Sequence, residues 1–357
     1  MKRHQLNRRK FLGSVVCCAA AAGAGTPGFL AAGEPAAARR RIRIGFLGAT
    51  YSHAPGKLGV ILAANDFELV GVCEESAAAR QACEKAGAKI ISQAELLARS
   101  EVVAVESAVR DHARHALLAL KAGKHVHLEK PPAMTLHELA EMVALARERE
   151  LLLQTGYMWR YSPGFTTILE AVRKGWLGEV FLVRANISNF LAPARRPDWA
   201  EFKGGSLFEL GSHLIDAVVR LLGKPKSVTP FLRGHGSASD KLKDNNVAVL
   251  EFDKAMAVIT NNALQDTRLA QRSFEVLGSN GTAVLQPIEP PMLSIELVSA
   301  AGPYKKGTQT VPMPPYARYE ADFIELAAAV RGERKLSVSL EEELAVQETL
   351  LKVCAMV

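Results

Sequence analysis

Two short stretches of this sequence hold side chains suited to moving a proton and to stabilising charge on an alcohol oxygen. The first is Glu129-Lys130-Pro131-Pro132. An ammonium fixed beside a reacting hydroxyl hydrogen-bonds it and stabilises the charge that develops on its oxygen. The second is the segment 204–216, Gly-Gly-Ser-Leu-Phe-Glu-Leu-Gly-Ser-His-Leu-Ile-Asp, which carries Glu209, His213 and Asp216. Spacings of four and three put all three on one face of a continuous helix. A histidine there removes an alcohol proton near neutral pH, and a carboxylate beside it orients the ring or binds a substrate hydroxyl. Two other readings compete. One His with two acids is a partial metal set, but no further histidine cluster completes it, so no metal is expected. The blander reading is a helix start with Glu209 near the positive dipole end and a structural histidine.

The elements that must position these groups follow from the hydrophobic pattern. Strand-like runs at 41–48, 67–73, 89–91, 102–105, 125–128 and 151–154 alternate with helical periodicity at 55–64, up to 87, at 111–122 and at 135–148. Thr135 and Glu138 are spaced as a capping box. Short strands separated by helices predict an α/β, doubly wound parallel sheet, which binds ligands beyond the carboxyl ends of its strands. Lys130 follows the fifth of these runs and so points into that crevice, with proline fixing the exit of the chain.

The first strand-to-helix turn reads Gly48-Ala49-Thr50-Tyr51-Ser52-His53. It sits where a Gly-x-Gly-x-x-Gly dinucleotide fingerprint would lie, with Gly48 as the first glycine and Thr50 and His53 in place of the others. Thr50 and Ser52 offer hydroxyls beside the free N–H groups of a helix start. Glu74 follows the second strand, where a carboxylate accepts hydrogen bonds from ribose hydroxyls and repels a 2′-phosphate. NAD is therefore expected over NADP.

Beyond residue 160 the pattern changes. Runs at 178–189, 225–233, 246–252, 255–260, 273–277 and 293–298 are strand-like with few helices between them, which predicts an α+β domain with a large, mostly antiparallel sheet. Residues 207–222 read as one helix, and 323–330 and 341–353 as terminal helices. The expected organisation is 1–40 as signal and linker, 41–160 as the dinucleotide-binding domain and 161–357 as a substrate and oligomerisation domain.

Taken together, Glu129-Lys130-Pro131, the run Gly156-Tyr-Met-Trp-Arg-Tyr161 and the Gly-Gly…Glu…Gly…His…Asp segment resemble the Gfo/Idh/MocA family, the glucose–fructose oxidoreductase and inositol dehydrogenase group. The resemblance covers about residues 41–353. It implies a Rossmann domain followed by a domain with a large open sheet, a bound NAD or NADP, and oxidation or reduction of sugars, polyols and related alcohols. By position it makes Lys130 the catalytic lysine and His213 the acid/base, with Glu209 where the family usually has Asp. It puts Ser107, Glu129 and Met158 near the cofactor, and Trp159, Arg160 and Asp216 near the substrate. His112 matches a recurrent histidine with a structural role. The family's habit of pairing through open sheets implies a homo-oligomer, dimer or tetramer.

Charge and termini complete the reading. Residues 1–41 carry eight Lys or Arg against one acid, which accounts for the whole formal net charge of +7. The remaining body is neutral, so no nucleic-acid partner is expected. Arg8-Arg9-Lys10-Phe11-Leu12, the apolar run 15–22 and Ala36-Ala37-Ala38 look like a twin-arginine export signal. That run is too short for a membrane span. Cys17 and Cys18 would leave with the signal, and Cys73, Cys83 and Cys354 read as small buried hydrophobes. Export implies a periplasmic or other extracytoplasmic location, where free NAD is not expected. The cofactor would then be retained and reset in each cycle. Alternatives are an NAD-dependent glycoside hydrolase or lyase working through a transient keto sugar, and a non-catalytic sugar-binding relative.

Overall fold

The alternation of apolar runs and amphipathic segments builds the first half of the fold. The computed structural model describes residues 39–236, 239–266 and 271–357. The stretch read as an export signal, with Cys17 and Cys18, lies outside the described residues. Strand β1 (Ile42–Leu47) leads through α1 (Ala54–Ala63) to β2 (Phe67–Cys73). Helices α2 (Ala77–Lys85) and α3 (Gln93–Arg99) precede β3 (Val102–Val105), α4 (Val109–Lys121), β4 (His125–Leu128), α5 (Leu136–Glu148) and β5 (Leu153–Thr155). All pairings are parallel, in the order β2-β1-β3-β4-β5. Strands β3 and β4 are almost wholly buried because helices cover both faces. The capping box at Thr135 and Glu138 is formed.

One expected strand is missing from this sheet. Residues 89–91 make a single parallel bridge, Ile90 to Val72, and the sheet has five strands rather than six. Ile90 and Ile91 are only partly buried, and helix α3 follows at once, so the run serves as an edge contact. That short helix was not expected.

A 3-10 turn at Met158–Tyr161 and α6 (Pro163–Arg173) lead into the second half. It contains β6 (Val180–Ser188), α7 (Arg196–Ala200), α8 (Ser206–Glu209), α9 (Ser212–Leu222), β7 (Ser227–Arg233), β8 (Asn245–Glu251), β9 (Met256–Asn262), β10 (Ser273–Gly278), β11 (Gly281–Leu285), β12 (Leu293–Leu297), β13 (Gly307–Val311), α10 (Glu320–Val330) and α11 (Leu340–Val353). The eight strands run in the order β13-β12-β11-β10-β6-β9-β8-β7. Every neighbour is antiparallel except β6 with β9. The sequence pattern did not separate β11 and β13, which are short and start at glycine.

The expected single helix over 207–222 is instead α8 and α9, broken at Leu210-Gly211. A Cβ on Gly211 would lie 2.5 Å from Leu207 Cδ1 and 2.6 Å from the Leu207 carbonyl oxygen, so the chain turns there at a distance no larger residue allows. Glu209 and His213 therefore do not share one helix face. The carbonyl of Glu209, released from the ladder, accepts hydrogen bonds from Ser212 Oγ and from Lys130. Helix α11 returns to pack on both α5 and α9, and its side chains reach the site.

Candidate active site

In a parallel sheet of this order, β1 and β3 lie side by side while their connections diverge, which opens a crevice at their carboxyl ends. Gly48 sits at its floor with φ +80°. A Cβ there would come within 2.5 Å of Ser107 Cβ and 2.7 Å of its amide nitrogen, so the loop passes β3 at backbone contact. Glu74 ties the rim together by accepting hydrogen bonds from the backbone N–H groups of Ala49 (2.5 Å), Glu75 (2.7 Å) and Ser76 (2.7 Å). Thr50 and Ser52 are exposed beside the start of α1, whose first turn carries no acidic side chain. A tight glycine, exposed hydroxyls and an anion-tolerant helix start fit a dinucleotide, despite the two replaced glycines. Ser107 is buried, with its hydroxyl 2.9 Å from His115 Nδ1.

Lys130 lies just beyond β4 and is 2% exposed. Its Nζ donates to the Glu209 carbonyl (2.9 Å) and to Glu209 Oε1 (3.3 Å). The Tyr51 hydroxyl donates to the same Oε1 at 2.5 Å, and the Tyr51 ring centroid is 5.1 Å from Nζ. Tyr51, expected to touch the cofactor, instead turns inward and clasps the lysine's carboxylate. Burial, then the Glu209 charge, pushes its phenol well above the ordinary value, so it stays a donor.

His213 starts α9 and is buried against the rings of Trp159 (4.9 Å between centroids), Tyr157 (5.9 Å) and His53 (6.3 Å). Burial, then the charges of Lys130 and His53, holds its pKa well below 6.5. It is therefore a neutral imidazole, the form that accepts a proton. Among the described residues no carboxylate orients the ring, which leaves the other expected use of a neighbouring acid, to bind a substrate hydroxyl: the His213 Nδ1 is buried without a hydrogen-bond partner, as are Glu209 Oε2, Trp159 Nε1 and the Tyr157 hydroxyl.

Arg160 and Asp216, expected near the substrate, bind each other instead. Arg160 is 4% exposed. It donates from Nη2 to Asp216 Oδ1 (2.7 Å), from Nη1 to Glu343 Oε1 (2.6 Å) and from Nη2 to Glu343 Oε2 (2.8 Å). Its Nε donates to Asp216 as well (3.0 Å), so the guanidinium fork is used up inside the protein. Trp159 stacks on Phe165 and lies against His213, so it forms the wall behind that ring, while the Met158 carbonyl accepts the Tyr316 hydroxyl. His112 bridges the carbonyls of Pro131 and Ser107, the structural role expected of it.

Glu129, expected at the cofactor, is fully buried and belongs to an ion cluster that sequence reasoning missed. It accepts from Lys57 Nζ at 2.5 Å, and its other oxygen lies 3.0 Å from His53 Nδ1. Lys57 also donates to Glu106 at 2.7 Å. Burial opposes the Lys57 charge, but the two carboxylates more than offset it and raise its pKa. The available signals were Lys57 one turn after His53 on α1, and an acid, Glu106, ending the apolar strand β3. Cys83 and Cys354 are buried and Cys73 partly so, all free thiols.

Two family models match the chain: residues 42–157 fit the oxidoreductase family with an NAD-binding Rossmann fold, and residues 165–284 fit the GFO/IDH/MocA C-terminal domain. The chain belongs to the Gfo/Idh/MocA oxidoreductase family, and its first sheet is that family's NAD-binding Rossmann fold. Among curated relatives it is 38% identical over 172 residues to the D-glucoside 3-dehydrogenase of Escherichia coli (45% of this chain, 48% of that protein). The match thus spans about half the length of that relative. It is 26% identical over 311 residues to the 1,5-anhydro-D-fructose reductase of Ensifer adhaerens (84% of this chain, 91% of that protein). Among solved structures, the UDP-N-acetylglucosamine 3-dehydrogenase of Acidithiobacillus ferrooxidans shares the fold with a TM-score of 0.76 at 19% identity (89% of this chain, 98% of that one).

Arg160→Met strands two buried carboxylates, Asp216 and Glu343. It should lower unfolding stability by about 3–5 kcal/mol in denaturant titration. A variant of native stability with only a raised KM would return Arg160 to substrate binding.

Proposed function

We propose that this protein transfers a hydride between NAD and a secondary alcohol of a sugar or polyol, with the cofactor retained between half-reactions. The observation that carries this reading is the pairing of a buried ammonium, Lys130, with a neutral imidazole, His213, whose pKa that ammonium helps to depress. The names of the curated relatives, a glucoside dehydrogenase and an anhydrofructose reductase, support the substrate class.

Gly48, the hydroxyls of Thr50 and Ser52, and Glu74 would hold the dinucleotide. Glu74 favours ribose hydroxyls over a 2′-phosphate, hence NAD over NADP. When bound, NAD supplies the hydride acceptor or donor for the carbinol carbon. Two of the three Lys130 N–H donors are held by Glu209, which leaves the third for the carbinol oxygen. His213 takes the hydroxyl proton on oxidation and returns it on reduction. Glu209 Oε2, the Tyr157 hydroxyl and Trp159 Nε1 are buried without partners, so a polyhydroxylated molecule reaching them would satisfy polar groups the protein leaves unpaired. Among the described residues no helix is long and apolar enough to cross a membrane.

Residues 1–40, with Arg8-Arg9 before Phe11-Leu12, support export of the folded protein by the twin-arginine route. The face of the large sheet that carries Phe231 and Met256 leaves both about half exposed, which supports its burial against a second copy.

Lys130→Met and His213→Ala should each cut turnover of a polyol by roughly 10²–10⁴-fold while NAD binding, followed by fluorescence, is retained. Full activity in both variants would refute the assignment. Because a base must be unprotonated, turnover should persist as pH falls through 6.5 and fail only near the lowered His213 pKa. Sedimentation should give a dimer or larger, and Phe231→Asp should shift it towards monomer; a wild-type monomer would refute the pairing. A reporter fused behind residues 1–40 should reach the periplasm, and Arg8→Lys with Arg9→Lys should stop it; unchanged export would refute the twin-arginine route.

A further inference from the structure

A chain of ionisable groups runs inward from the cleft and stops inside the protein. His53 Nδ1 lies 3.0 Å from Glu129 Oε1, Lys57 Nζ joins Glu129 Oε2 (2.5 Å) to Glu106 Oε1 (2.7 Å), and His127 Nε2 lies 4.0 Å beyond Glu106. His127 Nδ1 then meets the side-chain oxygen of Gln154 at 2.8 Å, and an amide carries no proton chemistry in the neutral range. The side chains of Glu129, Lys57, Glu106 and His127 are fully enclosed, whereas that of His53 is 16% exposed. The chain therefore opens at His53, on the side where the His213 ring stands 6.3 Å away.

The groups facing this chain leave it short of positive charge. Lys57 stands against Glu106 and Glu129, and it also feels Asp322 of α10, whose two oxygens are buried without a partner. Glu106 Oε2 is likewise buried without a partner. Burial, opposed by Lys57 and reinforced by Glu129, pushes Glu106 up to about 8. Burial, again opposed by Lys57, pushes Asp322 to about 7. Burial and the Lys57 charge push His127 down to about 3, so it is a neutral imidazole at neutral pH whose Nδ1–H is held by Gln154. Tyr319 covers Lys57 from the α10 side with its ring centroid 5.9 Å from Nζ, and burial lifts its phenol to about 12. The backbone N–H of Lys130 completes the enclosure by donating to Glu129.

We propose that His53, Glu129, Lys57 and Glu106 form a closed proton store that takes up the carbinol proton during oxidation and returns it during reduction. The inference rests on the retained-cofactor reading above. Oxidation breaks the carbinol O–H and C–H bonds and forms a carbonyl; the hydride leaves with both electrons to the nicotinamide and the proton is left over. His213 receives that proton and passes it across one water or one substrate hydroxyl to His53. Lys57 takes a proton from the His53–Glu129 side as it gives one to Glu106, which ends neutral; Glu106 is ionised and free to accept that proton only above about pH 8, where the store works. Reduction of a carbonyl draws the same proton back. An enzyme that releases its reduced cofactor has no use for such a store, whereas one that oxidises and reduces in turn keeps both hydride and proton.

Two measurements test the store. In protein carrying carboxyl-labelled [5-13C]glutamate, one resonance should titrate near pH 8, and Glu106→Gln should remove it; absence of any such resonance in the wild type overturns the proposal. In stopped flow above about pH 8, where Glu106 is ionised, holoenzyme mixed with methyl β-D-glucoside or scyllo-inositol in weak buffer with a pH indicator should form bound NADH with well under one proton released per NADH. His53→Gln should restore release towards one. A full proton released by the wild type overturns the store while leaving hydride transfer intact. If neither polyol reduces the bound NAD, the oxidoreductase reading fails for these substrates and the carboxyl titration alone decides the store. The wild-type readings need no variant to fold.

Discussion

The ammonium of Lys130 is buried, and burying an isolated charge costs several kcal/mol unless partners surround it. Its side-chain partners come from two parts of the chain that the sequence keeps far apart. Tyr51 belongs to the loop after β1, and Glu209 ends α8 beside the second sheet. The break at Leu210-Gly211 makes this possible, because it frees the Glu209 carbonyl from the helix ladder and offers it to Nζ. The same contact that satisfies the lysine ties the dinucleotide loop to the segment carrying His213. Movement of one element would therefore leave a charge uncompensated in the other.

Around that clasp the charged side chains divide by what they touch. Arg160, Asp216 and Glu343 neutralise one another and lock the 3-10 turn, α9 and α11 together behind Trp159 and His213. Lys57, Glu106 and Glu129 sit beneath the crevice on the Rossmann side. His213 lies between these groups in a mainly aromatic setting, and its basicity is set by burial and nearby positive charge rather than by a carboxylate. This differs from the dyad that spacing alone suggests, and it leaves His213 ready to accept a proton over a wide range of pH.

Much of the fold was legible because the period-2 and period-3.6 patterns of this chain are regular and well capped. Strands β1 to β5, helix α5 with its capping box, and the antiparallel character of the second sheet all follow from local pattern. So do Lys130 at a strand end and the crevice loop at Gly48. The failures share a physical cause. Residues 89–91 have the composition of a strand, but the sheet order puts them outside its edge. Residues 207–222 have the periodicity of one helix, yet Leu207 leaves no room for a Cβ at Gly211 and Lys130 competes for a helical carbonyl. Arg160 and Asp216 stand where substrate contacts are implied, and only the return of α11 with Glu343 shows that they are spoken for. Lys57 reads as an ordinary polar position on an amphipathic helix; its burial depends on Glu106 and Glu129 meeting it from two other strands. Local pattern reports elements, whereas charge partners separated by tens to hundreds of residues are a property of the packing.

The most direct measurement of the central claim is the mass of the nucleotide released when the protein is denatured after incubation with a polyol deuterated at its carbinol carbons. The account predicts that the released nucleotide includes NADH heavier by one deuterium, and that Lys130→Met releases NAD without the label. A wild-type protein that releases no dinucleotide, or only unlabelled NAD with every deuterated polyol tried, would contradict it.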